Sequence, residues 1–269
     1  MTHDELTPQA LQKRYNPEGS LLRRHQLRML DILIELDRIC NKHHITYWLS
    51  SGTLLGAIRH QGFIPWDDDL DVELPYSEYK KLMKILPAEL PSWLALQNHE
   101  QDSNYLYCYA KLRDKNSLLD EGLPYDCRCK EKGIYIDIFP MEKHPIWLHR
   151  LSELTFGHLY KILRLSPNDN HAFRSALRLY KLNTKFIYPC LRLFTTCFYW
   201  GSNRTFGMGI PLRSKRNFKH VYPLKKAIFE GHEFPVPHDS DAMLRGIYGD
   251  YMKLPDLNKL QLHVVSLQM

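Results

Sequence analysis

Asp67-Asp68-Asp69-Leu70-Asp71 places four carboxylates within five positions, between Ile64-Pro65-Trp66 and Val72-Glu73-Leu74. Like charges this close raise one another's pKa and are costly to hold unless a cation neutralises them, so the cluster reads as a divalent metal site. From Asp69 to Leu74 polar and apolar residues alternate with the period of a half-buried strand. That pattern sets Asp67, Asp69 and Asp71 on one face, roughly 7 Å apart at the backbone, and sends Leu70, Val72 and Leu74 into a core. Mg²⁺, or Mn²⁺ in the same role, takes hard oxygen ligands and keeps positions open for water or substrate phosphate, which suits phosphoryl transfer.

The elements that must position these acids can be read around them. Ile45 to Leu49 reads as a strand and Thr53 to Arg59 as a short helix, with Ser51 and Gly52 at the turn between. Glycine permits close backbone approach and a helix N-terminus offers free N–H groups to an anion, so this turn forms a phosphate cradle facing the acidic strand. Ser51, Gly52, Thr53 and Arg59 are its candidate phosphate-holding residues. Further on, Gly133 to Pro140 is an apolar strand interrupted by Asp137. A lone buried acid is costly without a partner, so Asp137 is either a structural acceptor at an edge or part of the site. Lys111 and Arg113 alternate on an expected strand from Tyr105 to Arg113, facing an anionic pocket or an exposed basic edge.

The strings Gly52-Thr53-Leu54-Leu55-Gly56-Ala57-Ile58-Arg59 and Ile64-Pro65-Trp66-Asp67-Asp68-Asp69-Leu70-Asp71 closely resemble the signature of the LicD family, which is related to fukutin and fukutin-related protein. Tyr135-Ile136-Asp137-Ile138-Phe139-Pro140, Phe229-Glu230-Gly231, Pro235-Val236-Pro237 and Tyr248-Gly249-Asp250-Tyr251-Met252 resemble it in the same order along the chain. The resemblance implies an α+β fold with a nucleotidyltransferase-like mixed sheet flanked by helices. It also implies transfer of an alcohol phosphate, most commonly phosphocholine from CDP-choline, to a sugar hydroxyl of a cell-surface glycan such as lipopolysaccharide or teichoic acid, with CMP released. Such sites use a third carboxylate on a neighbouring strand, for which Asp137 is the candidate. On this reading Asp69, Asp71 and Asp137 are catalytic, and Asp67 joins them around the metal. Ser51, Gly52, Thr53, Arg59, Lys111 and Arg113 bind substrate. Asp137 takes the proton of the acceptor hydroxyl or completes a second metal site.

Two rival activities stay open. The same fold could attach a nucleotide monophosphate from a triphosphate. A calcium-binding module would find acids at loop positions one, three and five from Asp67 and Glu78 at twelve, but Val72 replaces the glycine of position six and Pro75 sits at nine. A choline headgroup would favour an aromatic cage, with Tyr105, Tyr107, Tyr109 and Trp66 as candidates.

The composition of the 269-residue chain, 44% hydrophobic and 25% charged, is that of a folded protein. Residues 1–19 form an expected arm, 20–145 the catalytic core, 146–220 an inserted basic helical subdomain, and 221–269 the C-terminal part of the catalytic domain. Residues 146–220 hold 13 Lys and Arg against Glu153 and Asp169. Helical patterning covers 147 to 165 and 172 to 200, with Pro167 and Pro189 as breaks. This segment would meet an anionic membrane surface or a glycan or lipid-linked acceptor, or else present a solvated basic face to water. No nucleic-acid module accompanies the charge, so nucleic acid is not an expected partner. No leader pattern opens the sequence and no apolar run reaches the roughly 18 residues of a membrane span, which predicts a cytoplasmic protein, and the basic segment 146–220 would allow it to lie peripheral to the inner face of the membrane. The six cysteines read as free thiols. Cys127-Arg128-Cys129 with His144 or His43-His44 lacks zinc-motif spacing.

Overall fold

The computed structural model describes residues 7–120, 122, 128–201, 203–212, 216–257 and 266–268. Residues 1–6 of the expected arm and Cys127 lie outside the described residues. The chain opens with α1 (Pro8–Tyr15) and α2 (Leu21–Lys42). Ser20 caps α2, its Oγ accepting from the Arg23 amide at 3.1 Å. Met29, Ile32, Leu33, Leu36, Ile39 and Cys40 follow at helical spacing and are buried, which gives α2 an apolar stripe to pack on the sheet.

Next come β1 (Trp48–Leu49), α3 (Ser51–His60), β2 (Asp71–Pro75), α4 (Tyr76–Glu89), β3 (Leu94–Gln97), β4 (Ala110–Asp114), β5 (Leu118–Asp120) and β6 (Tyr135–Glu142). Helices α5 (Ile146–Leu165), α6 (Asn170–Leu182) and α7 (Tyr188–Phe198) follow, the last two joined by a π-helical turn at Asn183–Ile187. Then come β7 (Asn203–Phe206), β8 (Arg216–Asn217), α8 (Phe218–Val221), β9 (Lys225–Phe229), β10 (His232–Val236), α9 (Ser240–Tyr248) and β11 (Ser266–Gln268).

The central sheet has the order β1-β2-β6-β4-β3, with β7 paired to the end of β6 and β8 to β7. β2 and β6 are parallel and the other pairs antiparallel, so this is an α+β fold with a mixed sheet flanked by helices. Leu70, Val72, Leu74, Leu112, Ile136 and Ile138 are buried in the main core together with the stripe of α2 and with Leu82 and Leu86 of α4. Each such side chain contributes about 1.5–3 kcal/mol when fully buried. Between β6 and β7 the chain leaves the sheet and returns to it. The excursion, α5 to α7, has a small core of its own in which Phe156, Leu159, Leu163, Ala176 and Tyr180 pack with Leu106. Phe229 pairs with His232 across a two-residue turn at Glu230-Gly231, whose φ angles of 51° and 79° are those of a tight hairpin.

Three expectations shift in detail. Asp67 and Asp69 precede the strand, which begins at Asp71. Tyr105 to Tyr109 is not strand. Its rings pack on one another, with centroids 5.3 Å apart for Tyr105 and Tyr107 and 5.2 Å for Tyr107 and Tyr109, and the ladder starts at Ala110. Pro189 does not end the helical path. It is the second residue of α7, directly after the π turn, and the widened turn accommodates its missing N–H.

Gly56 holds α3 against the loop that follows. A Cβ there would collide with the Gly62 carbonyl oxygen and come within 3.3 Å of the Ile64 amide. Both are backbone atoms that cannot swing aside. Gly56→Ala is therefore expected to cost about 1–3 kcal/mol, read as a lower urea midpoint at unchanged slope.

Candidate active site

Parallel pairing of β2 with β6 sets Asp71 opposite Asp137, and antiparallel pairing of β4 with β6 sets Lys111 opposite Asp137 on its other side. Residues in register share a face, so the three stand abreast on neighbouring strands. Lys111 Nζ lies 3.1 Å from Asp137 Oδ1 and 3.2 Å from the centre of the Tyr135 ring, in a site that leaves Lys111 buried.

The acids ahead of the strand reach the same place by another route. A Cβ on Gly52 would lie 2.8 Å from Asp67 Oδ2 and 3.8 Å from Asp69 Oδ1. The bare Cα of Gly52 thus lets both carboxylates come up against the first turn of α3, where the positive end of the helix dipole favours them. Backbone contacts fix the acidic segment. The Asp71 amide donates to Thr53 Oγ1 at 2.8 Å and its carbonyl accepts from the Ser50 amide at 3.1 Å. From α2, Gln26 Nε2 donates to the Asp67 carbonyl at 2.8 Å, and His25 Nε2 lies 3.1 Å from the Asp68 carbonyl.

The start of α3 has no side-chain cap. Ser50, in the capping position, donates its hydroxyl to the buried Glu73 instead. Ser51 adopts a left-handed φ of 47°, a conformation that non-glycine residues avoid and that marks a turn held by its surroundings. The Ser50 side chain therefore satisfies none of the N–H groups of the first turn.

Glu73 is fully buried and also receives Trp48 Nε1 at 3.1 Å, Arg216 Nη2 at 2.7 Å and Arg216 Nε at 3.1 Å. Breaking such a pair from one side typically costs about 3–5 kcal/mol, because a charge is left buried alone. The pair ties the sheet segment bearing Asp71 to β8, which arrives 143 residues later.

Burial, followed by the charges of Asp69, Asp137, Asp67 and Glu73, pushes the Asp71 carboxyl well above the usual carboxylate range. Desolvation, followed by the charges of Asp71, Asp67 and Asp69, raises the Tyr248 phenol at the half-exposed end of α9. Burial lowers Arg59, with Asp67 acting in the opposite sense.

The sequence-derived candidates sort accordingly. Asp67, Asp69, Asp71, Asp137 and Lys111 gather with Ser51 and Gly52. The Thr53 hydroxyl is engaged by the Asp71 amide. Arg59 sits in the last turn of α3, where Nη1 donates to the Tyr251 carbonyl at 2.6 Å and Nε to His60 Nε2 at 2.9 Å. Arg113 is buried, with Nε donating to Gln97 Oε1 at 2.7 Å and Nη1 to the Gly133 carbonyl at 2.8 Å. Glu73, Arg216 and Tyr248 were not singled out from the sequence. Glu73 continues the alternation of the acidic strand and Tyr248 belongs to a motif that carries the family resemblance, so each had a faint signal. Arg216 had none beyond the general basicity of its segment.

Among the described residues, no three His, Cys, Asp or Glu side chains converge tightly enough to cage a metal on their own. The gathered carboxylates nevertheless suit a hard cation that also binds a substrate phosphate, since they carry a surplus of negative charge beside an uncapped helix start. The calcium-loop alternative fails locally, because Asp71 to Pro75 are paired in the sheet where an EF-hand loop would coil. Tyr107 and Tyr109 line a cleft of about 380 Å³ with Tyr76, Tyr79, Tyr180 and Tyr188. Tyr105 is buried, and Trp66 packs edge-on against Tyr15 at 5.4 Å.

The model of the LicD/FKTN/FKRP nucleotidyltransferase domain matches residues 44–159, a span that contains α3, every gathered carboxylate and Lys111. Lipopolysaccharide cholinephosphotransferase LicD of Haemophilus influenzae is 30% identical over 256 residues, covering 87% of this chain and 92% of that protein. The chain belongs to the LicD family. An uncharacterised protein of Rickettsia prowazekii is 31% identical over 135 residues, 49% of this chain and 44% of that one. Arg216 lies beyond the matched LicD domain, so the strand that bears Asp71 is tied down from the C-terminal return of the chain.

Asp71→Asn removes one of the mutually repelling charges without changing the shape of the side chain. In chelator-treated buffer its thermal midpoint is expected to rise by about 2–4 °C per kcal/mol of repulsion relieved. A lower midpoint by differential scanning fluorimetry would show that the Asp71 charge is already compensated.

Proposed function

We propose that this protein is a transferase that moves an alcohol phosphate, most commonly phosphocholine, from a CDP-alcohol to a sugar hydroxyl of a cell-surface glycan such as lipopolysaccharide. The reading rests above all on one observation: Asp71, Asp137 and Lys111 stand abreast on three strands, across from an uncapped helix start. Similarity to a lipopolysaccharide cholinephosphotransferase over most of both chains supports the substrate class.

In this mechanism the backbone N–H groups of Ser51, Gly52 and Thr53 receive the donor phosphates. Asp69 and Asp71, with Asp67 beside them, would hold a divalent cation, Mg²⁺ or Mn²⁺, which supplies charge neutralisation on the diphosphate and on the departing CMP. Asp137 accepts the proton of the attacking sugar hydroxyl as the new P–O bond forms and the bond to CMP breaks. Lys111, at 3.1 Å, holds the Asp137 carboxylate in place for that role. Most of the acceleration comes from positioning and charge stabilisation, so no covalent nucleophile is required. The Tyr107 and Tyr109 rings supply an apolar, electron-rich wall for a quaternary ammonium headgroup, and Tyr109 lies 5.8 Å from Lys111 Nζ.

Purified protein with Mg²⁺, a panel of CDP-alcohols and a glycan acceptor is expected to release CMP with one alcohol preferred. Asp69→Asn should reduce turnover at least a hundredfold while leaving the circular dichroism spectrum unchanged. Undiminished turnover in that variant removes the proposal, and an acceptor whose mass increases by a nucleotide rather than by the alcohol phosphate identifies the rival reaction.

If choline is the alcohol, Tyr109→Ala should raise KM for CDP-choline roughly fivefold to thirtyfold, the equivalent of about 1–2 kcal/mol of cation–π contact, with a smaller effect on kcat. Equal effects on CDP-choline and CDP-glycerol would place the headgroup elsewhere.

A further inference from the structure

The helical excursion exposes apolar side chains on a scale that the rest of the molecule does not share. Phe186 is 65% exposed, Leu193 66%, Phe198 69% and Trp200 89%, and Phe194 is exposed beside them. On the neighbouring α5, Trp147, Leu151 and Leu154 are exposed at the spacing of one helix face. Single exposed apolar residues are ordinary, but a contiguous run of aromatic and leucine side chains marks an interaction surface.

The basic residues of the same path have an equally definite placement. Arg174, Arg178, Lys181 and Lys185 recur at intervals of four, three and four, the spacing of one face of α6 and the π turn, and all four are exposed. The π turn adds a residue and shifts the outward face by one position, so the stripe continues through Pro189, Leu193 and Cys197 of α7, also exposed. Residues 170–198 contain no Asp or Glu. Arg192 is turned the other way, with Nε and Nη2 each 2.8 Å from a Glu142 carboxylate oxygen, so α7 is fastened to β6 while its opposite face stays open. One outward face is thus basic in its first half and apolar in its second.

We infer that this face docks on an anionic phospholipid surface, with Lys181, Lys185, Arg174 and Arg178 on the headgroups and Leu193, Phe194, Phe198 and Trp200 inserted at the acyl boundary. The charge decides the occupant. A second copy of the chain would set one acid-free basic stripe against another, whereas a bilayer of anionic lipid offers both negative charge and hydrocarbon. No helix among the described residues is long and apolar enough to cross a membrane, so the contact is interfacial. The inference is independent of the transfer chemistry.

The test is co-sedimentation of the full chain with vesicles of phosphatidylcholine alone or of phosphatidylcholine with phosphatidylglycerol. The expected result is binding to the anionic vesicles, with a blue shift of the emission that Trp200→Phe removes. Leu193→Glu combined with Phe198→Glu should weaken partition at least tenfold. Lys181→Glu combined with Lys185→Glu should weaken it further than loss of two favourable charges alone, each worth roughly fivefold near an anionic surface. Both variants should keep the circular dichroism spectrum and the CMP release of the parent on a soluble acceptor. Equal sedimentation with and without phosphatidylglycerol, or parent-like binding by either variant, overturns the inference. A dimer by light scattering that Leu193→Glu converts to monomer also overturns it, in favour of a second copy as the occupant.

Discussion

Negative charge concentrated at one end of a parallel strand pair is the constraint that the rest of this structure answers. Asp71 and Asp137 face each other across β2 and β6, Asp67 and Asp69 crowd in at Gly52, and Glu73 lies two residues further along the same strand. In a partly buried setting these charges repel strongly, and the fold answers them one by one. Lys111 is placed against Asp137, Arg216 against Glu73, and Arg59 acts on Asp67. Asp71 has its pKa driven up by burial and by four neighbouring carboxylates, so its ionised form is held at a cost. A site that holds excess negative charge against its own stability is one whose free energy a bound cation would lower.

The same constraint explains why α2 carries polar side chains on a face that should be apolar. Arg23, His25 and Gln26 are buried among the leucines of its stripe. Gln26 and His25 hold the carbonyls of Asp67 and Asp68, and Arg23 Nη2 reaches Glu230 at 2.7 Å in the β9–β10 turn. Glu230 in turn accepts from the Phe63 amide at 3.0 Å. Buried polar groups must be satisfied, and here the partner is backbone that secondary structure does not serve. The irregular segment from Gly62 to Asp69 is held in position by one helix and one hairpin turn, with the carboxylates as the outcome.

How much of this was legible in the sequence follows from the range of each interaction. The acidic strand, the glycine turn and Asp137 announce themselves because each violates a local pattern: too many charges, a glycine before a helix, an acid among isoleucines. The hairpin turn at Gly231 and the end of α9 at Gly249 are local turn chemistry of the kind a sequence carries on its face. The register that places Asp71, Asp137 and Lys111 abreast is a long-range fact that no local pattern encodes. Glu73 and Arg216 are separated by 143 residues and look like an alternating strand acid and one basic residue among many. Tyr105 to Tyr109 misled in the other direction. Aromatic residues favour strands, but here ring packing around a cleft won over ladder pairing.

The attachment of α5–α7 joins the two halves of the molecule mechanically. β6 carries Asp137 near its start and Glu142 at its end, and Glu142 accepts from both Arg192 of α7 and the Met208 amide beyond β7. The Arg192 guanidinium also lies 4.4 Å from the ring of Tyr76, the residue that opens α4 directly after the acidic strand. A continuous strand and one partly buried ion pair therefore link the outward helical face to the carboxylates. Whatever the α6–α7 path rests on fixes the direction from which the carboxylate-bearing face is approached, because the strand between them has no turn in which the orientation could be lost.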